Sequence, residues 1–210
     1  MKPRLRGVSH LIAFGVSLLS GPLLVAAAPT LSSRLTLGIY GLSLSTLFGV
    51  SALYHRPTWS AGARRWLRRL DHAAIFVAIA GTYTAIAGLA LPPDVSQPLL
   101  IVVWCGALAG ALLQLVRGHA TRWLAVGPYV VLGWTAVVVL PQLLTRLDGA
   151  AFGLLLVGAV LYTLGAIIYA RRRPDPRPAT FGYHEVFHLL VIAAAAAHYV
   201  AVAGFVLPRL

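Results

Sequence analysis

The stretch Tyr183-His184-Glu185-Val186-Phe187-His188 sets two histidines four residues apart, with a glutamate beside the first. On a helix, positions i and i+4 share a face, so both imidazoles can turn toward one cation. H-E-x-x-H is also the pattern of zinc metalloproteases, in which the glutamate is the general base. Far away in sequence lie His55, Asp71 and His72, the other ionisable groups that could join such a site. Imidazoles from His55, His184 and His188 would make a three-histidine zinc (Zn2+) site with an open fourth position, the catalytic form of that coordination. A water in that position has its pKa lowered to about 7. Asp71 could hold that water, accept its proton, or brace a histidine. Ser51 lies four residues before His55 on the same helical face and could hydrogen-bond into the site.

Whether these residues meet depends on the elements that carry them. Of the 210 residues, 59% are hydrophobic and 10% are charged, against about 25% charge in an ordinary soluble domain. That balance predicts a polytopic all-α membrane protein. Apolar stretches of spanning length, about 20 residues, fall at 8–28, 35–55, 72–91, 98–116, 123–141, 150–170 and 185–207. They form one seven-helix membrane domain over 1–210. The breaks hold Ala28-Pro29-Thr30, Pro92-Pro93-Asp94, Arg117-Gly118-His119, Asp148-Gly149 and the Pro-rich Arg171 to Pro178. The first stretch imitates a signal peptide, but it is long for one and Pro29 follows the apparent cleavage point, so it reads as a retained helix. Cys105 is the sole cysteine, which leaves any metal to histidine and carboxylate ligands.

The net charge of +12 is explained by topology. With a cytoplasmic N-terminus and an outside C-terminus, fourteen Lys and Arg residues fall in inside segments, and only Arg34, Arg146 and Arg209 fall outside. This is the positive-inside bias, and nucleic acid is not needed as a partner. Trp59, Trp66 and Trp123 fall near the inner boundary, and Ala63 to Arg69 reads as a short surface helix on anionic lipid. The same topology puts His55, Asp71, His72, His184 and His188 in one membrane layer, from three segments distant in sequence. Ionisable groups at such depth are costly and usually paired or functional.

Other polar residues have plainer readings. His10 could be a spare ligand or a boundary residue of the first helix, and the boundary reading is preferred; His119 reads as a solvated loop residue among arginines. His198, about 21 Å along the helix from His184 at 1.5 Å per residue, is too far for the same ion and is expected to bond a neighbouring helix. Leu147-Asp148-Gly149 matches a motif of intramembrane zinc proteases, but it precedes H-E-x-x-H here and lies on the opposite side. Glu185 is therefore read as non-catalytic, a carboxylate explained by Arg171 to Arg177.

Ser51-Ala52-Leu53-Tyr54-His55, Leu70-Asp71-His72 followed by Ala80-Gly81-Thr82-Tyr83-Thr84, and His184-Glu185-Val186-Phe187-His188 with His198 ten residues on resemble the hemolysin III family. This is the bacterial branch of the progestin and adipoQ receptor superfamily, and the resemblance covers essentially the whole chain. It implies seven helices, a cytoplasmic N-terminus, and zinc near that face on His55, His184 and His188, with Asp71 near the metal-bound water. It also implies a multi-pass protein of the bacterial inner membrane, acting in lipid homeostasis among membrane lipids. A more distant resemblance to alkaline ceramidases suggests hydrolysis of an amide in a lipid, and the open coordination position beside a potential base extends the expectation to a lipid amide or ester. Other readings stay open: a non-enzymatic sensor of the bilayer with structural zinc, a cytolysin, and haem held by a pair of histidines, which would leave Asp71 unexplained. Light-driven pumping is excluded, because the only lysine is Lys2 and the seventh helix has no Schiff-base amine.

Overall fold

Helix punctuation in the sequence translates directly into elements. The computed structural model describes residues 3–117 and 122–210. Its helices are α1 (Val8–Ala27), α2 (Leu31–His55), α3 (Ala61–Ala90), α4 (Pro93–Arg117), α5 (Arg122–Gly133), α6 (Leu140–Arg146), α7 (Gly149–Arg171) and α8 (Tyr183–Ala201). A 3-10 stretch, Trp134–Val139, joins α5 to α6, and a π turn (Val202–Val206) with a final 3-10 turn prolongs α8. Among the described residues, seven segments are long and apolar enough to cross a membrane, with α5 and α6 sharing the fifth.

Local chemistry sets the ends. The Thr30 hydroxyl accepts from the Ser33 amide while Ser33 accepts from Thr30, a reciprocal cap for α2. Ser60 caps α3 by accepting from the Ala63 amide at 3.3 Å. That cap moves the start of the third span. The basic stretch from Ala63 to Arg69, expected as a separate surface helix, is instead the first part of α3. The fifth span also runs further than 141, ending at Arg146. It tightens midway because the Tyr83 hydroxyl donates to the Gly133 carbonyl at 2.8 Å and accepts from the Ala136 amide at 2.6 Å. A side chain inserted in the backbone ladder is a recognised cause of such a break. Pro141, lacking an N–H, then sits in the first turn of α6, where no intrahelical donor is needed.

Sequence neighbours pack as neighbours: α1 on α2, α2 on α3, α3 on α4, α7 on α8, with α8 also meeting α1. Apart from Phe76, the buried side of α3 is small and lightly polar, with Ala73, Ala74, Ala78, Ala80, Gly81, Thr82, Thr84, Ala85 and Ala87. Small residues let membrane helices approach closely where water supplies no driving force. One apolar cluster joins Leu37, Tyr40, Phe48, Ala78 and Val191, and a second joins Phe76, Val103, Leu132 and Leu143. Since α3 supplies both, it is the wall between them. Thr82 and Thr84 bond back to the carbonyls of Ala78 and Ala80, and Thr84 also accepts from Trp104 Nε1 at 3.0 Å. Large apolar side chains such as Leu19, Val116 and Val138 point outward, as a lipid-facing surface requires.

Candidate metal centre

The three histidines reach one point from helix ends at the same end of the bundle, the one that holds the N-terminus. His55 is the last residue of α2, and His184 and His188 lie in the first turns of α8. One nitrogen from each ring lies within 4.8 Å of the other two. His55 Nε2 and His184 Nε2 are 3.1 Å apart. Two nitrogens bound tetrahedrally to zinc at about 2.0–2.1 Å stand about 3.3 Å apart, so the pair fits a shared cation with little movement. His188 is 1% exposed, and His55 and His184 are also buried. Nitrogen-only donors, buried together, suit a borderline-soft divalent ion and not one that demands oxygen ligands.

Asp71 and His72, on α3, join this group. Asp71 Oδ2 lies 3.9 Å from His55 Nε2 and 3.7 Å from His72 Nδ1, and the Ser51 hydroxyl reaches the same carboxyl. His72 Nδ1 is 2.9 Å from the Arg68 carbonyl, which can only accept, so that nitrogen carries the proton. Its Nε2 then faces the Tyr169 hydroxyl at 3.5 Å. Tyr169 packs on His184 and Phe187 with ring centres 5.6 and 5.2 Å away. A cavity of about 150 Å³ opens beside these groups. Ser51, Asp71, His184 and His188 line it, and most of the remaining wall is apolar surface of α3, α5, α7 and α8, interrupted by Thr82, Thr163 and His198.

Two of the sequence expectations need correction. His10 is no boundary residue: it is 2% exposed and its ring lies flat on His188, with centres 3.8 Å apart and planes 2° apart. The signal was present, because His10 opens the first span in the same layer as the other histidines; the pairing of α1 with α8 was not. Glu185 is not matched by Arg171 to Arg177. Its Oε1 pairs with Arg6 Nε, and its Oε2 accepts from the Gly182 amide at 2.8 Å. Other expectations hold. His198 bonds a neighbouring helix, Nε2 donating to the Leu155 carbonyl of α7 at 3.1 Å. Asp148 pairs with Arg209 at the opposite end of the bundle. His119 and the Trp123 side chain lie outside the described residues.

Fold and site together define a class: seven-span membrane proteins with a buried three-histidine group at the N-terminal end. The sequence matches the family described as haemolysin-III related over residues 1–199. It is 32% identical to the Hemolysin-3 homolog of Bacillus subtilis (strain 168) over 159 residues, covering 76% of this chain and 71% of that protein. It is 30% identical to Hemolysin-3 of Bacillus cereus over 179 residues, 85% of this chain and 78% of that protein. Similarity extends to the monocyte to macrophage differentiation factor of Homo sapiens, 24% identical over 80% of this chain and 69% of that protein. The chain belongs to the hemolysin III family.

Proposed function

We propose that the protein is a zinc-dependent hydrolase of a lipid amide or ester, held in a bacterial inner membrane with its N-terminus in the cytoplasm and active in lipid homeostasis. The observation that carries the reading is the continuity of one cavity from His184, His188, Asp71 and Ser51 to an apolar interior among the helices. A lipid needs both ends: a polar place for its linkage and a dry place for its tail.

His55, His184 and His188 would hold the ion. When bound, zinc supplies a Lewis acid for a carbonyl and favours deprotonation of water. The chain's own part is proton handling and orientation. Asp71 Oδ2 takes the proton of the attacking water and returns it to the leaving nitrogen or oxygen, so that water is consumed and an acid plus an amine or alcohol are released. Ser51 orients that carboxylate, which stands 3.9 Å from His55 Nε2, close enough to the ion's position to meet a water there but not to hold the ring. Glu185 stays out of the chemistry, since both oxygens are already engaged.

Purified protein tests this directly. Wild type should carry about one zinc per chain and release fatty acid from reconstituted lipid amides or esters, while His184→Ala and His188→Ala lose both. Metal-free wild type, or zinc-loaded protein inert on a broad lipid panel, would remove the reading. A structural role for the ion is favoured by one observation: among the described residues the backbones of α2 and α8 approach closely at few positions, so an ion held by His55 and His188 would clamp them. In that case metal removal lowers stability with no effect on lipid composition.

A further inference from the structure

The segment from Arg4 to His10 touches every member of the histidine group or its immediate neighbour. Arg4 and Leu5 donate their amides to the carbonyls of Ala179 and Thr180, 3.1 Å each, tying the segment to the loop ahead of α8. Arg6 pairs with Glu185, the residue after His184, and Glu185 is 3% exposed. A carboxylate so enclosed is costly without a partner, so the pair fixes the first turn of α8. Gly7 lies against His55. Its φ is +77°, and a Cβ there would come within 2.6 Å of His55 Cβ, so both backbone conformation and space call for glycine. His10 then lies flat on His188, with Phe48 at its edge. Neither His10 nitrogen makes a well-formed hydrogen bond, so ring packing holds the residue.

The stack decides what His10 does. An ion ligated by an imidazole lies in the plane of that ring, about 2.0–2.1 Å from the nitrogen. Parallel rings lying face to face share no plane, so an ion held by His188 is out of line with both His10 lone pairs. We infer that residues 4–10 brace the metal centre: Gly7, Arg6 and His10 orient His55, the first turn of α8 and the His188 ring without ligating the ion. This rests on His55, His184 and His188 being a metal site, and it makes affinity depend on residues that never touch the metal. Neighbours of this kind typically matter by about 10–100-fold in affinity.

Titration of the full chain in detergent with Zn2+, and with Co2+ followed by absorption, tests the brace. His10→Ala and Arg6→Gln should each weaken binding by about 10–100-fold while the Co2+ spectrum keeps its nitrogen ligand number. His10→Phe keeps a flat ring on His188 and should bind nearly as wild type does, with an unchanged spectrum. Helicity and melting of the metal-free variants separate misfolding from lost orientation, and if His10→Ala does not fold, His10→Phe and Arg6→Gln decide. Loss of a nitrogen ligand in His10→Phe would make His10 a ligand and overturn the brace. So would wild-type affinity in both His10→Ala and Arg6→Gln. Wild type that binds neither ion would take down the metal reading and the brace together, whereas a binding wild type with indifferent variants removes the brace alone.

Discussion

Asp71 and the histidines are adjacent, but they answer to different tests. The carboxylate stands 3.9 Å from His55 Nε2, beyond hydrogen-bond reach, so it is not needed to hold that ring in place. Asp71→Asn keeps the shape and removes the base. In the hydrolase reading, metal content stays near wild type and lipid turnover falls by at least about 100-fold, the usual worth of a positioned general base. Metal stoichiometry and fatty-acid release measured on the same preparation check this. Turnover surviving in Asp71→Asn would move the proton step elsewhere. Glu185 shows how context redirects a motif: placed where a metalloprotease has its base, it is committed to Arg6 and to the Gly182 amide.

At the scale of elements, the fifth span is the one whose form depends on a distant side chain. Tyr83 of α3 occupies the Gly133 carbonyl and the Ala136 amide. Without it, those groups are left in a membrane interior with no water to satisfy them. Tyr83→Phe should therefore destabilise the protein by about 1–3 kcal/mol, the cost of an unsatisfied buried group. Thermal unfolding in detergent reads the loss, and hydrogen exchange should locate it at residues 133–139. An unchanged melting temperature would mean the span closes its own ladder. The α3 register was partly legible: the layer of Asp71 and His72 followed from the arginines before them. The continuity of α3 from Ala61 was not, since a basic amphipathic stretch and the first turns of a span carry the same composition.

For the whole molecule, charge placement gives the sharpest expectation. The N-terminus and the loops around 56–60 and 172–182 share one end of the bundle, and the C-terminus lies at the other. In the proposed orientation, which rests on the positive-inside bias, the first end faces the cytoplasm. With Cys105 replaced by alanine, Lys2→Cys should react with an impermeant maleimide only after cells are opened, and Leu210→Cys should react in intact cells. Labelling of position 2 but not 210 in intact cells would invert the topology, and labelling of both would break it.

By itself the sequence determined the number of spans, the layer that collects His55, Asp71, His72, His184 and His188, and the family, because hydropathy, charge asymmetry and i, i+4 spacing are properties of a chain read along its length. Which faces meet across the bundle belongs to the tertiary structure. The flat contact of His10 on His188, the Arg6–Glu185 pair and the Tyr83 insertion all join residues more than 45 positions apart. Each is set by helix rotation and the packing of small residues, which leave no local periodicity to read.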